Sequence, residues 1–358
     1  MQISHSGTAP TPNLFRSQAW LDAWRHGWGE LLDDSIPKKH QPINYFSCGK
    51  LSAYSYDSKF LDLFRIRTIY PEGKTSKLIP AIRNEYFQFP FDPVDCDSNW
   101  DEFWSTLDAK GWDRVIFDDI LKGSVDHLCL LDQAAKRGLF VLNRGEDPLF
   151  GIDTAAQDFT GYLKGLSTSS RIKLYNKRSK LRSMGVVAIN NMCQEPDGFF
   201  RLLNDFHAVR WGKRCFSPNN QKMINLLLDN SSDKNLGIDC SVMSIDNTPV
   251  SAVFDLHYGN RIYNLQMGYN ESLSKGISLG ALHLGYQIEA AFNNPVVDYY
   301  DLMAGCGKHC SYKESFSDTR GEFVNLVVFK RKWMPVAHRL KDHLREFGER
   351  LRVYSVKQ

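Results

Sequence analysis

The sequence predicts a mixed α/β protein built as two domains in tandem. Segments with strand periodicity and segments with helical periodicity alternate along the whole chain, and the order helix, antiparallel strands, helix, strand occurs roughly twice. A length of 358 residues is too great for one small domain and suits two of ordinary size. Because the composition turns polar from Arg144, we predict an N-terminal domain over residues 1–150 and a C-terminal domain over residues 151–358.

The first half begins with a helix capped by Ser17, in which Trp20, Trp24 and Trp28 recur at the spacing of a buried stripe. Four strands follow this helix, and after them helices and strands alternate. The predicted segments are, in order, the strands INYFSCG, LSAYSY, FLDLFRIRTIY and KLIPAI, the helix NWDEFWSTLDAK, the strand DRVIFDDI, the helix VDHLCLLDQAAKRG and the strand LFVLN.

The second half follows the same rough order, and its longest helix presents one apolar face. That face carries Phe199, Leu202, Leu203, Phe206 and Val209. The predicted segments are a short helix over residues 153–166, the helix SSRIKLYNKRSKLRSMG, the strand VVAINNM, the helix PDGFFRLLNDFHAVRWGK, the strands IDCSVMSID, PVSAVFDLHYG and RIYNLQMGYN, the helix ISLGALHLGYQIEAAFNN, the strand VVDYYDLM, a glycine-rich loop, the strand EFVNLVVF and a closing helix over residues 333–351.

The composition excludes several classes of protein. Hydrophobic residues make up 42% of the chain, which rules out wholesale disorder, and a net charge of +3 argues against a DNA-coating protein. We find neither a secretory signal nor a spanning segment, so we expect a cytoplasmic protein whose eight cysteines are reduced thiols. Cys306 and Cys310 flank His309, but no second pair completes a zinc site, and we predict that no metal is bound.

The second half resembles the GNAT superfamily, and within it the CelD-like and Fem-type (FemAB-like) transferases. The matching residues occur in order along the chain. They are the basic helix Ser170–Arg182, Arg210-Trp211, Pro249-Val250-Ser251-Ala252, Tyr263 with Gly268-Tyr269, Ser274-Lys275-Gly276, Asp301-Leu302-Met303-Ala304-Gly305, Tyr312-Lys313 and Phe316. The opening segment from Phe15 to Trp24 also looks like the start of such chains, so the resemblance implies two GNAT-like domains, the first of them degenerate.

The resemblance implies acyl transfer to an amine, and three functions stay open. The first is an N-acyltransferase that uses acetyl-CoA or another acyl-CoA and acts on an amino sugar, an amino acid or a glycolipid precursor, in the assembly of surface polysaccharide. The second is a Fem-type transferase that makes a peptide bond from aminoacyl-tRNA; the lack of sustained heptads favours the first over it. The third is a catalytically silent GNAT-like binding protein.

The donor site is predicted around the loop of residues 274–280. Its members are Lys275, Gly276, Ser278 and Gly280. A glycine there lets the backbone approach a pyrophosphate, and the start of the following helix favours an anion; the alternative is a simple strand-to-helix turn. The resemblance adds Gln266, Met267 and Gly268, on a strand whose backbone N–H groups would meet the thioester oxygen.

The catalytic residues are predicted to be Asp301, Tyr312 and Lys313. Asp301 ends an apolar strand, where its carboxylate could act as a base or bond the loop backbone. Tyr312 and Lys313, which we expect on a glycine-rich loop, could contact the acceptor and an anionic group, or could be structural. Asp255, His257 and His309 are the other candidate bases.

An anionic partner is predicted for the basic helix. Between Arg171 and Arg182 it carries six cations and no acid, whereas a solvated face normally mixes charges of both signs. A tRNA acceptor stem, a lipid-linked phosphate or peripheral contact with an anionic membrane would suit it, and an ordinary wetted surface is the alternative. Arg171, Lys177, Arg210 and Trp211 are therefore the predicted acceptor-binding residues.

Overall fold

The computed structural model describes residues 13–32, 43–60, 64–91, 96–229, 233–273, 276–305 and 310–340, and they fall into two compact units. Unit 1 comprises the described parts of Met1–Gly29, Ile79–Ile82 and Pro148–Gly321. Unit 2 comprises the described parts of Glu30–Leu78, Arg83–Asp147 and Glu322–Gln358. Neither unit is continuous in sequence, and the chain passes between them at residues 147–148, close to the predicted boundary at residue 150.

The first half of the chain has the predicted alternation of elements. After a 3-10 turn (Leu14–Arg16) they are α1 (Gln18–Leu32), β1 (Ile43–Cys48), β2 (Leu51–Phe60), β3 (Phe64–Pro71), α2 (Cys96–Lys110), β4 (Arg114–Leu121), α3 (Val125–Lys136) and β5 (Phe140–Asp153). The prediction for α1 is confirmed, because the Trp20 N–H donates to Ser17 Oγ at 3.1 Å and Trp20, Trp24 and Trp28 are buried.

The second half also alternates, with more helices than predicted. Its elements are α4 (Phe159–Gly165), α5 (Thr168–Arg171), a π-turn (Ile172–Asn176), α6 (Arg178–Arg182), β6 (Val187–Asn191), α7 (Pro196–Trp211), α8 (Pro218–Asp229), β7 (Leu236–Ile245), β8 (Thr248–Tyr258), β9 (Arg261–Tyr269), a 3-10 turn (Glu271–Leu273), α9 (Leu279–Phe292), β10 (Tyr299–Asp301), α10 (Cys310–Phe316) and β11 (Thr319–Phe329).

Both units contain the same arrangement of strands. In unit 2 an antiparallel meander β1-β2-β3 is followed by α2 and then by β4, which pairs in parallel with β3. In unit 1 the meander β7-β8-β9 is followed by α9 and then by β10, which pairs in parallel with β9. The predicted mixed α/β fold is confirmed.

Several predicted elements are wrong, for local reasons. No strand forms over the segment KLIPAI. Pro80 has no N–H group to donate to a neighbouring strand, and Ile79 is buried without belonging to a strand. The polar stretch from Arg144 is the exposed middle of the 14-residue strand β5, within which the chain passes from unit 2 to unit 1. Val209 is 79% exposed and does not belong to the buried face of α7.

Two helices were not predicted, and the closing helix is described only in part. α8 was missed, and α10 occupies the place of the predicted glycine-rich loop. Residues 333–340 are helical, whereas the rest of the predicted closing helix lies outside the described residues.

Candidate functional site

The strands β9 and β10 of unit 1 part after only three paired residues. The last pair is Asp301 with Tyr263. Beyond it the chain leaves β9 and follows β5, since the Leu302 N–H donates to the Phe150 carbonyl at 2.9 Å. The remainder of β9 stays paired with β8 as far as Tyr269. The result is an opening in the sheet on the β10 side of β9.

The opening exposes a backbone donor of β9. The β8–β9 register shifts between Phe254 and Asp255, whose partners are Gln266 and Asn264, so Leu265 forms a bulge. Just after this bulge, the Met267 N–H donates at 3.2 Å to the side-chain Oε1 of Gln266 rather than to a neighbouring strand. A polar group on another molecule could replace that side-chain oxygen.

A cleft of about 410 Å³ lies at this opening. Its lining comes from the basic segment (the basic helix of the sequence analysis, Ser170–Arg182), the end of α7, β9, the start of α9, and α10. The lining residues are Lys173, Arg210, Trp211, Gln266, Met267, Tyr269, Ile277, Ser278, Gly280, Ala281, Leu284, Tyr312 and Phe316. The predicted site residues Gln266, Met267, Ser278, Gly280, Arg210, Trp211 and Tyr312 are thus brought together.

Lysines of the basic segment surround the loop before α9. Gly276 has φ +79°, a conformation that favours glycine, and its carbonyl accepts from Lys177 Nζ at 2.8 Å. A Cβ on Gly276 would lie 3.0 Å from Lys180 Nζ, and Lys173 lines the cleft itself. Cations on one side of the segment therefore meet the loop that leads into the N-terminus of α9, where backbone N–H groups add positive potential.

Two small residues explain how these parts approach so closely. A Cβ on Gly285 of α9 would lie 2.1 Å from the Leu174 carbonyl oxygen, so only glycine lets the π-turn pack there. A Cβ on Gly280 would lie 2.7 Å from the ring of Tyr269. Gly280 thus serves the packing of α9 on β9, which is a different reason from the phosphate approach that the sequence suggested.

The mouth of the cleft has an aromatic and cationic wall. Arg210 lies over the ring of Tyr269 at 5.0 Å and over that of Trp211 at 5.2 Å, and its Nε is 3.2 Å from Glu271 Oε1. Trp211 is 47% exposed at the C-terminus of α7. A flat ring beside a guanidinium can hold a planar or anionic group of a ligand.

Tyr312 brings a phenolic hydroxyl to the cleft. It is half-buried on α10, and its oxygen lies 3.9 Å from Met267 Sδ, next to the backbone donor of β9. Burial raises the pKa of Tyr312 to about 12. The hydroxyl therefore stays protonated at neutral pH and is suited to donate a proton rather than to accept one.

Lys313 and Asp301 face the loop after β10 rather than the cleft. Lys313 Nζ donates to the carbonyls of Met303 and Ala304 at 3.2 and 3.1 Å. Asp301 is fully buried; its Oδ1 accepts from the Met303 N–H at 2.7 Å, and its Oδ2 is 3.5 Å from Arg261 Nη1. Met303 has φ +63°, so these two charged side chains hold a loop turn in an unfavourable conformation.

The other predicted residues lie away from the cleft. Arg171 contacts Thr168, and Gly268 gives room to Phe206 of α7. Asp255 is buried, bonded to Tyr300 and Asn264, and burial raises its pKa to about 7. Lys275 and His309 lie outside the described residues.

Sequence reasoning did not single out Tyr269 and Ile277 as site residues. Tyr269 could have been found, because it lies two residues after Met267 and so shares its face of the strand. Lys173 was recognised only as one member of the basic run. His257, a candidate base, has a pKa lowered by burial and does not line the cleft.

Within the ranges that the structure describes, no three His, Cys, Asp or Glu side chains gather as a metal site would require. No described helix is long and apolar enough to cross a bilayer.

Residues 168–314 match the family model of the GNAT acetyltransferase domain. A search of curated proteins finds no match. Among solved structures, FemX is similar over 87% of this chain and 92% of its own, with 11% identity and a TM-score of 0.54. A conserved protein of unknown function from Bacteroides thetaiotaomicron VPI-5482 has 9% identity and a TM-score of 0.53 over 87% of this chain and 90% of its own.

A third similar structure is the C-terminal domain (DUF2156) of a putative lysylphosphatidylglycerol synthetase from Agrobacterium fabrum. It is 15% identical, with a TM-score of 0.50 over 85% of this chain and 88% of its own. At such identities these likenesses concern the fold, whereas the family match covers the basic segment, β9, α9 and α10, which together build the cleft. Residues 168–314 are therefore a domain of the GNAT acetyltransferase type, within a chain whose fold is similar to that of FemX.

Proposed function

We propose that unit 1 transfers the acyl group of an acyl-CoA, acetyl-CoA first among them, to an amine. The observation that carries this proposal is the parting of β9 and β10 beside the Met267 N–H, next to a cleft of about 410 Å³ that Met267 lines. The acyl carbonyl oxygen would replace Gln266 Oε1 as the acceptor of that N–H. A fixed donor at this point stabilises the negative charge that the oxygen gains in the transition state.

The phosphates of the donor would lie at the loop before α9. Lys177 and Lys180 lie beside Gly276, Lys173 lines the cleft, and the first N–H groups of α9 point toward the same region. Of the three lysines, Lys173 and Lys180 are exposed, so their ammonium groups can reach a mobile pyrophosphate arm.

The chemistry needs one proton donor from the protein. The amine nitrogen attacks the thioester carbonyl carbon, the C–S bond breaks, and the departing sulfur takes a proton from the Tyr312 hydroxyl. No carboxylate or imidazole lies among the described residues that line the cleft. The amine would therefore enter already neutral, its own proton would pass to water after the attack, and water would return a proton to the Tyr312 oxygen.

The acceptor would enter past Arg210 and Trp211. An aromatic face and a guanidinium suit a sugar ring or a carboxylate, which supports an amino sugar, an amino acid or a glycolipid precursor of surface polysaccharide as the acceptor.

Aminoacyl-tRNA is the second candidate donor. Lys173, Lys180 and Arg182 are exposed on the basic segment, beyond what one pyrophosphate needs, and the fold is similar to that of FemX. Under this alternative the same Met267 N–H would serve an ester carbonyl instead of a thioester.

A binding test separates the donors. We expect acetyl-CoA to raise the melting temperature, with a shift that grows with ligand concentration, and free thiol to be released when an amine is added. Stabilisation by aminoacyl-tRNA alone would replace the first candidate with the second. Binding of acetyl-CoA without thiol release across a panel of amino sugars and amino acids would indicate a silent binding protein.

A further inference from the structure

Two cysteines of unit 1 meet at the β6–β7 edge of its sheet. Cys193 follows β6 by two residues, and Cys240 lies within β7. The Met192 N–H donates to the Cys240 carbonyl at 2.9 Å, which continues the β6–β7 ladder by one residue. Cys193 is therefore one position beyond the residue opposite Cys240. Neither cysteine lines the cleft.

The backbone spacing suits a disulfide. The backbone N–H groups of Cys193 and Cys240 both donate to Asn191 Oδ1, at 2.9 and 3.4 Å, so the two backbones are neighbours. A disulfide requires backbones that are as close as this.

The two side chains differ in exposure. Cys193 Sγ donates to the carbonyl oxygen of Ile238, two residues before Cys240 in β7, at 3.1 Å. Cys193 is half-buried, whereas Cys240 is fully buried. An oxidant can therefore reach Cys193 first, with Cys240 waiting behind it.

The pKa of its thiol also sets Cys193 apart from Cys48 and Cys215. The neighbouring Cys240 thiol lowers the pKa of Cys193 to about 7, and Cys193 in turn raises the pKa of Cys240. Burial raises the pKa of Cys48 to about 12 and that of Cys215 to about 11. Since the thiolate is the reactive form, Cys193 is far more reactive near neutral pH than either of these.

We propose that Cys193 and Cys240 form a reversible disulfide when the protein meets a peroxide. The Cys193 thiolate attacks one oxygen of hydrogen peroxide, the O–O bond breaks, and Cys193 becomes a sulfenic acid while hydroxide leaves as water. The Cys240 sulfur then attacks the Cys193 sulfur, and the second water leaves with the thiol proton. Two thiols and one peroxide give one disulfide and two waters, and a dithiol reverses the reaction.

The test is peptide mapping of the full chain after exposure to hydrogen peroxide. Trypsin cleavage places Cys193 in residues 183–201 and Cys240 in residues 235–261, each peptide with a single cysteine. We expect the two peptides to be joined, with loss of two hydrogens, and to separate on treatment with dithiothreitol. In Cys240→Ser, a sulfenic-acid reagent should label Cys193 at least ~tenfold faster than Cys215.

Cys215→Ser is the matched control, because it removes another partly buried thiol and leaves the pair intact. It should form the joined peptide as the wild type does, whereas Cys193→Ser should not. Three results would overturn the proposal: equal labelling of Cys193 and Cys215, a stable sulfenic acid on Cys193 in the wild type without joining, or joining that appears only in denaturant. The wild-type mapping depends on no substitution, so a variant that folds poorly does not affect it.

Discussion

Unit 1 and unit 2 share a meander, a helix and a parallel strand, yet they treat the space beside that strand differently. In unit 1 the parallel pairing of β10 ends at Asp301 and a cleft follows. In unit 2 the parallel pairing of β4 with β3 is shorter still, two residue pairs, and a cleft of about 380 Å³ is lined by charges of both signs. The Phe87 N–H there donates to the carbonyl of Asp119 at 2.9 Å.

The charges that line the cleft of unit 2 pair with one another. Lys74 is buried, and its Nζ donates to the Asn84 carbonyl at 2.6 Å and lies 3.4 Å from Asp119 Oδ2. Arg83 bonds Asp119 and Asp147. In the cleft of unit 1, by contrast, the lining includes two cations and no carboxylate. The same arrangement of strands thus borders a cleft without a carboxylate in unit 1 and a cleft whose cations are paired with carboxylates in unit 2.

Breaking the ion pairs of Asp119 in unit 2 should have the largest effect on the free energy of unfolding. Asp119→Asn removes a buried carboxylate and leaves Lys74 without its ionic partner, which should lower the free energy of unfolding by about 3 kcal/mol. Denaturant titration measures this. Asp118→Asn, whose partner Arg144 is partly exposed, should lose less than about 1 kcal/mol. Equal losses in the two variants would contradict the view that Asp119 stabilises unit 2 through its buried ion pairs.

Tyr312→Phe should have the largest effect on turnover. Loss of the proton donor leaves the sulfur to depart unprotonated, so kcat should fall about 100-fold with the KM of acetyl-CoA nearly unchanged. The matched control is Tyr70→Phe, which removes a buried hydroxyl from unit 2. Steady-state thiol release measures both. A kcat within a factor of three of wild type would remove Tyr312 from the chemistry.

The pH profile tests whether the cleft of unit 1 contains a base. Without one, kcat/KM for the amine should rise about tenfold per pH unit up to the pKa of the acceptor amine and then level off. Since the pKa of Tyr312 is about 12, its acid form persists and no decline is expected below about pH 10. Two acceptors with different amine pKa values should have different midpoints. A common midpoint near pH 7 would instead indicate a side-chain base such as Asp255.

What could be predicted from the sequence was local or carried by the resemblance. Ser17, Trp20, Trp24 and Trp28 follow one another at intervals of three or four residues at the start of one helix, so their pattern is visible in the sequence. Tyr312 was predicted because it matches a motif of the family that the sequence resembles. The opening between β9 and β10 could not be predicted, because it is made by backbone groups that any residue carries. Which cations of the basic helix face the loop before α9 could not be predicted either. The π-turn changes the angular spacing of side chains between Lys173 and Lys177.

The placement of Tyr312 and Lys313 on a loop was wrong for a related reason. The glycines before Tyr312 and Lys313 indicated a loop, whereas both residues lie within the helix α10. The helix turns neighbouring side chains about 100° apart, so Tyr312 faces the cleft while Lys313 faces the turn after β10. Sequence adjacency suggested a shared function that the helix separates.

Removing the lysines around Gly276 should weaken donor binding in unit 1 alone. For Lys173→Ala combined with Lys177→Ala we expect the KM of acetyl-CoA to rise about tenfold, and its dependence on salt to flatten, because two charges near the phosphates are lost. Lys136→Ala, an exposed ion-paired lysine of unit 2, is the control and should change neither quantity. An unchanged salt profile in the double variant would mean that these lysines only contact water and protein.

Lys313→Met should have the smallest effect on turnover, and it decides between two functions for this side chain. If the ammonium only holds the carbonyls of Met303 and Ala304, its loss loosens the turn beside β10, and kcat should fall about threefold with KM unchanged. Glu314→Ala, which removes the neighbouring exposed charge, should leave kcat unchanged. Because an ammonium that touches substrate would cost far more than a loosened turn, a fall of 100-fold or more would return Lys313 to the catalytic group predicted from sequence, and it would place the loop after β10 within the cleft during turnover.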